Sequence, residues 1–391
     1  MKNSLLCSKN SNHVLIPPNW NYIKDILQTN PNNSPEILLT YVLTWNIHGK
    51  TPNSSEMELI IPTNKQFQLY IINTQECLRS IGASFVNSTK DKWVEILKKH
   101  LGENYINIAN NTLSAFHIAI FCHKSISKNI SHIYVGCVKT GFMNVMANKG
   151  AVAISFVYKK KKFLFINSHL SSGQENSKDR NKDFERINRE LVLEPYEETS
   201  NNNNNNEQDS QENNKEETEN NFDASKIKAE NGTITDRFDI VIWGGDFNYR
   251  INLPKTEVIQ AIKNKKIEFL REHDQLLNEI NNQSINFNNF DEGLIHFNPT
   301  YKFKDNKTED SQTPLNDEYD EERIPGWCDR IIYKAKRISD VLLCQYKSIP
   351  KTKTSDHKPV FAVFKIEIGD KYERVKIAAT KTQETAACLI C

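Results

Sequence analysis

Short apolar runs rich in β-branched and aromatic residues recur along this chain, and several break off at a polar group. "ILLTYVLTWN" closes on Asn46, "LYIINTQE" on Glu76, "KFLFINSH" on His169 and "DIVIWGGDFN" on Asn248. Runs of this length and composition predict strands. Four strands that each deliver a polar group from one end predict a common site on one edge of a sheet. In the last run Gly244 and Gly245 allow a close turn, and Asp246 and Asn248 share a face if the extended backbone persists. Taken alone, Asp-x-Asn is a pair of turn formers ending a strand. Further on, Val258, Ile262, Ile267, Leu270, Leu277 and Ile280 predict a helix over about 254–281, and the alternating "PVFAVFKIEI" predicts a final strand. This pattern supports an α/β class.

The runs lie in one body interrupted once. Residues 1–36 form a polar extension with Pro17-Pro18 and one short helix expected around Tyr22 to Leu27. Between about 196 and 236, "ETSNNNNNNEQDSQENNKEETEN" carries almost no apolar residue and cannot offset its ordering entropy, so it reads as a disordered loop. The body resumes at Phe238 without a new domain beginning. "DNKTEDSQTPLNDEYDEER" reads as an exposed loop and Lys159 to Lys162 as a solvated hairpin turn. The expected organisation is a polar extension over 1–36, a single interrupted domain over 37–368 and a tail over 369–391.

Charge narrows the function. Fifty Lys and Arg nearly balance 49 Asp and Glu, so there is no global basic field, and no nucleic-acid partner is expected. No apolar run approaches the roughly eighteen residues of a membrane span. "MKNSLLCSKNSN" is no secretory signal, which implies a cytoplasmic protein, and a monomer is expected. The eight cysteines are scattered until the final "CLIC". That segment has no second pair for zinc and fits a prenylation box at Cys388 better than a redox motif. One prenyl chain attaches weakly. Lys365, Lys371, Arg374, Lys376 and Lys381 add an electrostatic second signal, diluted by Glu367, Asp370, Glu373 and Glu384. Peripheral attachment to the cytoplasmic face of a membrane is therefore expected if Cys388 is prenylated.

The candidate chemistry follows from residue types. Glu76 and Asn46 are hard oxygen donors suited to Mg2+. Asp356 and His357 adjoin in "SDHKP", Asp329 lies in "WCDR", and an imidazole held by a carboxylate is a recurring acid-base or phosphate-binding element. His169 adds a second imidazole. No Gly-x-Ser-x-Gly elbow or supported Cys-His arrangement is found, so a covalent nucleophile is disfavoured. The inventory points to metal-assisted attack of water on a phosphate ester.

Nine segments in order, "TWNIHG", "NTQE", "GFMNVMANKGAV", "NSHLSSG", "RNKDF", "WGGDFNYR", "NPTYKF", "RIPGWCDRI" and "SDHKPV", span residues 44–361 and resemble the inositol polyphosphate 5-phosphatase family. That family belongs to the exonuclease III and DNase I-like phosphohydrolases. The resemblance implies an α/β four-layer sandwich of two central mixed β-sheets flanked by α-helices. It also implies a Mg2+-dependent enzyme that removes the 5-phosphate of phosphoinositides, soluble inositol polyphosphates, or both. By similarity Glu76 is the principal metal ligand, with Asn46 in or beside the coordination sphere. Asp246 orients and deprotonates the attacking water, and Asn248 holds the water or the phosphate. His357, oriented by Asp329, and His169 bind the scissile phosphate, with Asp356 near the metal. Asn148 and Lys149 match the contacts to a 1-phosphate, and Tyr301, Lys302 and Arg323 those around a 4-phosphate. Glu321 stands where the family has a lysine, which puts tolerance of the 4-phosphate in question.

Ser171 and Ser172 replace the usual alanines. Phe142, Met143, Val145 and Met146 read either as a packed loop or as a contact for lipid chains, and Trp45, Trp243 and Trp327 as core or site walls. His48, His117, His123 and His296 match no catalytic position of the family and read as ordinary histidines. A nuclease or sphingomyelinase on the same fold and an inactive lipid-binding adaptor are the competing readings. The near-neutral charge with the Asn-Lys and Tyr-Lys segments argues against the first, and the intact Glu76, His169, Asp246, Asn248 and His357 against the second.

Overall fold

The computed structural model describes residues 37–65, 67–77, 86–141, 148–196, 226–229, 232–282, 287, 289–304 and 318–369. Thirteen strands are described: β1 (Ile37–Asn46), β2 (Leu69–Gln75), β3 (Tyr105–Leu113), β4 (Phe116–His123), β5 (Ile130–Lys139), β6 (Gly150–Tyr158), β7 (Lys161–His169), β8 (Glu194–Pro195), β9 (Ile240–Asp246), β10 (Asp291–Glu292), β11 (Asp329–Ala335), β12 (Val341–Ser348) and β13 (Val360–Glu367). They form a six-stranded sheet, β12-β13-β1-β2-β4-β3, and a seven-stranded sheet, β10-β11-β9-β7-β6-β5-β8. Each is mixed: β1 and β2 run parallel in the first, β7 and β9 in the second, and the other pairs are antiparallel. The expected sandwich of two mixed sheets flanked by helices is the fold observed.

Alternation along each strand explains both the core and the site. Leu38 and Val42 of β1, Leu69 and Ile71 of β2, Phe163 and Phe165 of β7, Ile240 and Ile242 of β9, and Ile331 and Tyr333 of β11 belong to one buried cluster between the sheets. With a period of two, the same faces continue to Asn46, Gln75, His169, Asp246 and Asp329. The interlayer is apolar along most of its length and polar at one end. There the sheets are joined by hydrogen bonds from Gln75 Nε2 to Asn167 Oδ1 (2.6 Å) and from Asn46 Nδ2 to Asp246 Oδ2 (3.0 Å).

The outer face of the second sheet is covered by the helix Ser177–Glu190, whose Phe184 stacks on Trp243 at 4.1 Å between centroids. On the first sheet's other face Tyr41, Phe67 and Tyr70 pack ring to ring, and the helix Val86–Leu101 buries Trp93 and Leu97. Arg330 is fully buried, paired with Asp274 at 2.9 Å and Glu292 at 2.5 Å, and Tyr346 completes this network by donating to Glu292. Trp45, Trp243 and Trp327 are all fully buried.

Three expectations change. The helix expected over 254–281 is three helices, Lys255–Lys263, Ile267–Glu272 and Gln275–Asn281. Lys265 adopts a left-handed φ of 56° at the first break, and Asp274 caps the third helix by accepting from Leu277 N. The turn at 159–162 is confined to Lys159 and Lys160. Lys161 is buried in β7 against Asp340, because β7 already faces the core there. The chain is again packed before Phe238: Ile227 is buried and bridges to Leu193, and Ile234 is fully buried. The expected helix at Tyr22 to Leu27, most of the 196–236 insertion, Phe142 to Met146 and Cys388 lie outside the described residues. Among the described residues no helix is long and apolar enough to cross a membrane.

Candidate active site

Strand register gathers the site. In β9, Asp246 lies opposite Asp329 of β11 on one side and His169 of β7 on the other. Gly150 of β6 pairs with His169, which brings Lys149 alongside. From the facing sheet β1 supplies Asn46, and the end of β2 supplies Glu76. The segment before β13 is tied to β1 by Trp45 Nε1 donating to the His357 carbonyl (2.9 Å) and Ser355 Oγ to the Asn46 carbonyl (2.6 Å). The buried Glu56 carboxylate also accepts from the amides of Lys353 (2.5 Å) and Thr354 (3.1 Å). Asp356 and His357 are thereby fixed in the wall of a pocket of about 760 Å³.

Asp246 and Asn248 do not share the pocket through strand alternation. The strand ends at Asp246, and Asn248 turns back with a left-handed φ of 57°, its amide donating to Asp246 Oδ1 (3.1 Å). His48 and Glu76 leave β1 and β2 in the same way, each with φ 51°. Such conformations cost of order 1 kcal/mol apiece and are held by their surroundings. Here the Gly49 amide donates to the Glu76 carbonyl (2.8 Å) and the His48 amide to Asn46 Oδ1 (3.1 Å). Gly245 must lack a side chain, since a Cβ there would meet the Ser168 carbonyl oxygen at 2.1 Å.

The polar groups form a connected set. His357 Nδ1 lies 2.9 Å from Asp329 Oδ2, which also accepts from Thr300 Oγ1 (2.8 Å). His357 Nε2 is 4.0 Å and His169 Nε2 3.2 Å from Asp246 Oδ2. Burial works against the charge on His357, but Asp329, with help from Asp246, raises its pKa to about 9. Burial likewise disfavours ionised Asp246, yet the neighbouring imidazoles and Lys149 hold its carboxyl well below the usual range. His169 is pushed down by burial and by Lys149, whose Nζ is 2.5 Å from its Nε2. Lys149 is itself lowered by burial, against the pull of Asp246 and Glu76. The pocket therefore holds an Asp246 carboxylate and a His357 imidazolium, with Lys149 Nζ hydrogen-bonded to His169 Nε2 beside them.

All the sequence-predicted catalytic, metal and substrate residues line this pocket except Asp329, which stands behind His357, and Arg323. Arg323 is exposed. Glu321 is 83% exposed, also outside the pocket wall, and paired with Lys304 at 2.8 Å. Its carboxylate is thus partly neutralised. Ser171, in place of an alanine, donates its hydroxyl to Asp183 (2.6 Å). Besides Ser114 and Ala115, two wall residues with ionisable side chains were missed as site residues. Arg250 donates Nη2 to Asn248 Oδ1 (2.7 Å) and lies 4.6 Å from the centroid of Tyr301, whose other neighbour is the His357 ring at 4.4 Å. His48 lies 3.6 Å from both Glu76 and Asp356. Both sit inside quoted segments, "WGGDFNYR" and "TWNIHG", so the signal was position within a segment rather than residue type.

The donor set fits a divalent cation of the hard type. Glu76 is partly open to the pocket, and Asn46 Oδ1, having accepted one hydrogen bond, keeps a second lone pair.

Comparison with known proteins agrees. The chain is 29% identical over 347 residues to the mouse phosphatidylinositol polyphosphate 5-phosphatase type IV, covering 87% of this chain and 47% of that one. It is 30% identical over 360 residues to the human phosphatidylinositol 3,4,5-trisphosphate 5-phosphatase 1, covering 86% and 27%. It therefore spans about a quarter to a half of these relatives. The inositol polyphosphate 5-phosphatase domain of SPsynaptojanin, solved with inositol (1,4)-bisphosphate and calcium, superposes with a TM-score of 0.65 at 26% identity, covering 94% of this chain and 98% of that one. A Cimex nitrophorin shares the fold alone, with a TM-score of 0.61 at 19% identity over 85% and 100%. The family model described as endonuclease/exonuclease/phosphatase family 2 matches residues 43–363, and the chain belongs to that family.

Proposed function

We propose that this chain is a phosphoric monoester hydrolase that removes the 5-phosphate of phosphoinositides or soluble inositol polyphosphates, with Mg2+ as cofactor. The observation that carries the reading is the register of β7, β9 and β11, which sets Asp246 between His169 and the His357–Asp329 pair. The 5-phosphatase relatives supply the substrate class.

A water hydrogen-bonded to Asp246 attacks phosphorus as the bond to the inositol O5 breaks, its proton passes to the carboxylate, and the departing O5 takes up a proton from solvent to leave as the hydroxyl. Asp246 is a weak base in this setting, so its main contribution is orientation, which suits a loose transition state needing little prior deprotonation. The His357 imidazolium opposes the phosphoryl charge, His169 contacts the same phosphate, and Arg250 fixes the Asn248 amide. Glu76 and Asn46 would hold the cation, which supplies Lewis-acid stabilisation of the phosphate oxygens when bound. Asn148, Lys149, Tyr301 and Lys302 line the same pocket and are proposed to select the remaining phosphates. Glu321, pointed outward and paired with Lys304, leaves a 4-phosphate tolerated. Prenylation at Cys388 would add peripheral membrane attachment.

Phosphate release by the purified full chain, with Mg2+ or chelator, tests the reading. The substrates are phosphatidylinositol 4,5-bisphosphate, phosphatidylinositol 3,4,5-trisphosphate, inositol 1,4,5-trisphosphate and an abasic DNA duplex. Mg2+-dependent release from the inositol compounds alone is expected. Silence on all three, or cleavage of the DNA, would overturn it.

A further inference from the structure

His48 enters the pocket from the turn after β1, with its side chain 39% exposed. Its Nδ1 lies 3.6 Å from Glu76 Oε2 and 3.6 Å from Asp356 Oδ1. Each separation lies between the spacings of adjacent and opposite donors around one octahedral ion, about 3 and 4.2 Å for bonds of about 2.1 Å. The imidazole is also held in place. The Asn46 side chain accepts from the His48 amide, the backbone is left-handed there, and the Gly49 amide is bonded to the Glu76 carbonyl. The same turn thus fixes Asn46, His48 and Glu76 relative to one another.

We propose that His48 donates Nδ1 to the divalent ion held by Glu76, so that the ion is bound by a mixed nitrogen and oxygen set. The inference rests on the cation of the proposed reaction and deepens it by naming a ligand and a consequence for metal choice. Mg2+ favours carboxylate, carbonyl and water oxygens and gives up its waters reluctantly, whereas Mn2+, itself oxygen-preferring and the weakest of the first-row transition series, accepts an imidazole nitrogen more readily than Mg2+. A nitrogen donor therefore widens the preference for Mn2+ over Mg2+ beyond that of an all-oxygen site. Asparagine at position 48 would keep a polar side chain of modest size and remove the imidazole.

The test is made on the metal-free full chain without substrate. Mn2+ is titrated and followed by the electron paramagnetic resonance of the free ion, Mg2+ is measured by competition, and pulsed resonance reads nitrogen coupled to bound Mn2+. The wild type is expected to bind one Mn2+ with nitrogen coupling. In His48→Asn the coupling disappears, Mn2+ affinity falls about tenfold or more, and Mg2+ affinity changes far less. His48→Ala, with a thermal melt of each variant, separates ligand loss from misfolding. Mn2+ bound without nitrogen coupling, or coupling that persists in His48→Asn, overturns the inference and leaves the hydrolase reading standing. No Mn2+ or Mg2+ binding at all overturns both.

Discussion

Asp329→Asn isolates the electrostatic part of the site. The Asp329 carboxylate is fully buried and lies 2.9 Å from His357 Nδ1. It is the main reason the imidazole rises from 6.5 to about 9 despite burial. That rise corresponds to roughly 3 kcal/mol in favour of the charged form, at about 1.4 kcal/mol per tenfold change. Asparagine preserves the shape but removes the largest favourable charge, so burial is opposed only by the Asp246 and Asp356 carboxylates and the pKa falls back toward about 6.5. At pH 7.5 the wild-type His357 is almost wholly charged, and with a pKa near 6.5 the variant's is charged in roughly a tenth of molecules. If the imidazolium is the active form, kcat/KM for inositol 1,4,5-trisphosphate falls at least about tenfold at pH 7.5 and much less at pH 6. The alkaline limb, near 9 in the wild type, moves below neutrality. Proton resonances of the His357 ring, followed against pH, give the same pKa without turnover. Stability follows with a definite sign: because the folded pKa is raised, this stabilisation is complete below about 6.5 and is lost as pH rises through about 9. A ratio of wild-type to variant rates that stays constant from pH 6 to 9 would refute this account and reduce Asp329 to a spacer.

Asp246→Ala should lower turnover by about 10²- to 10⁴-fold while the circular dichroism stays native, and full turnover would remove Asp246 from the mechanism. Arg330→Met leaves the buried Asp274 and Glu292 carboxylates without their cation, so urea melts should show a loss of about 3–5 kcal/mol. A loss below about 1 kcal/mol would contradict the network's importance. Gly245→Ala forces a Cβ against the Ser168 carbonyl and should cost at least about 1–3 kcal/mol, with turnover reduced because Asp246 is the next residue. Glu321→Lys, at an exposed position, should leave the melting curve within about 0.5 kcal/mol and lower KM, not kcat, for substrates with a 4-phosphate. An equal KM change on a substrate lacking that phosphate would show that the residue acts elsewhere.

The strands and their polar ends were legible because one alternation governs both: the face of β1 that buries Leu38 and Val42 also presents Asn46, and that of β9 with Ile240 and Ile242 presents Asp246. What alternation does not carry is the backbone after a strand ends. Asn248 reaches the pocket by a left-handed turn, not by continuing β9, so the right pair of residues was expected for the wrong local reason. The helix breaks at Lys265 and His273 were hidden for a related reason. Apolar spacing of 3.6 survives across two short breaks, and the Asp274 cap and its ion pair with Arg330 depend on β11, far along the chain. His48 is the sharpest case. Its residue type was visible, but its direction is set by a turn whose Gly49 amide is bonded to the Glu76 carbonyl, a contact across 27 residues of sequence between 49 and 76. A histidine that reads as ordinary by matching alone becomes a neighbour of two carboxylates once two strand ends are brought side by side. The parts of an active site built on strand faces are therefore readable from periodicity, whereas those built on the turns between sheets need the pairing that only the folded chain supplies.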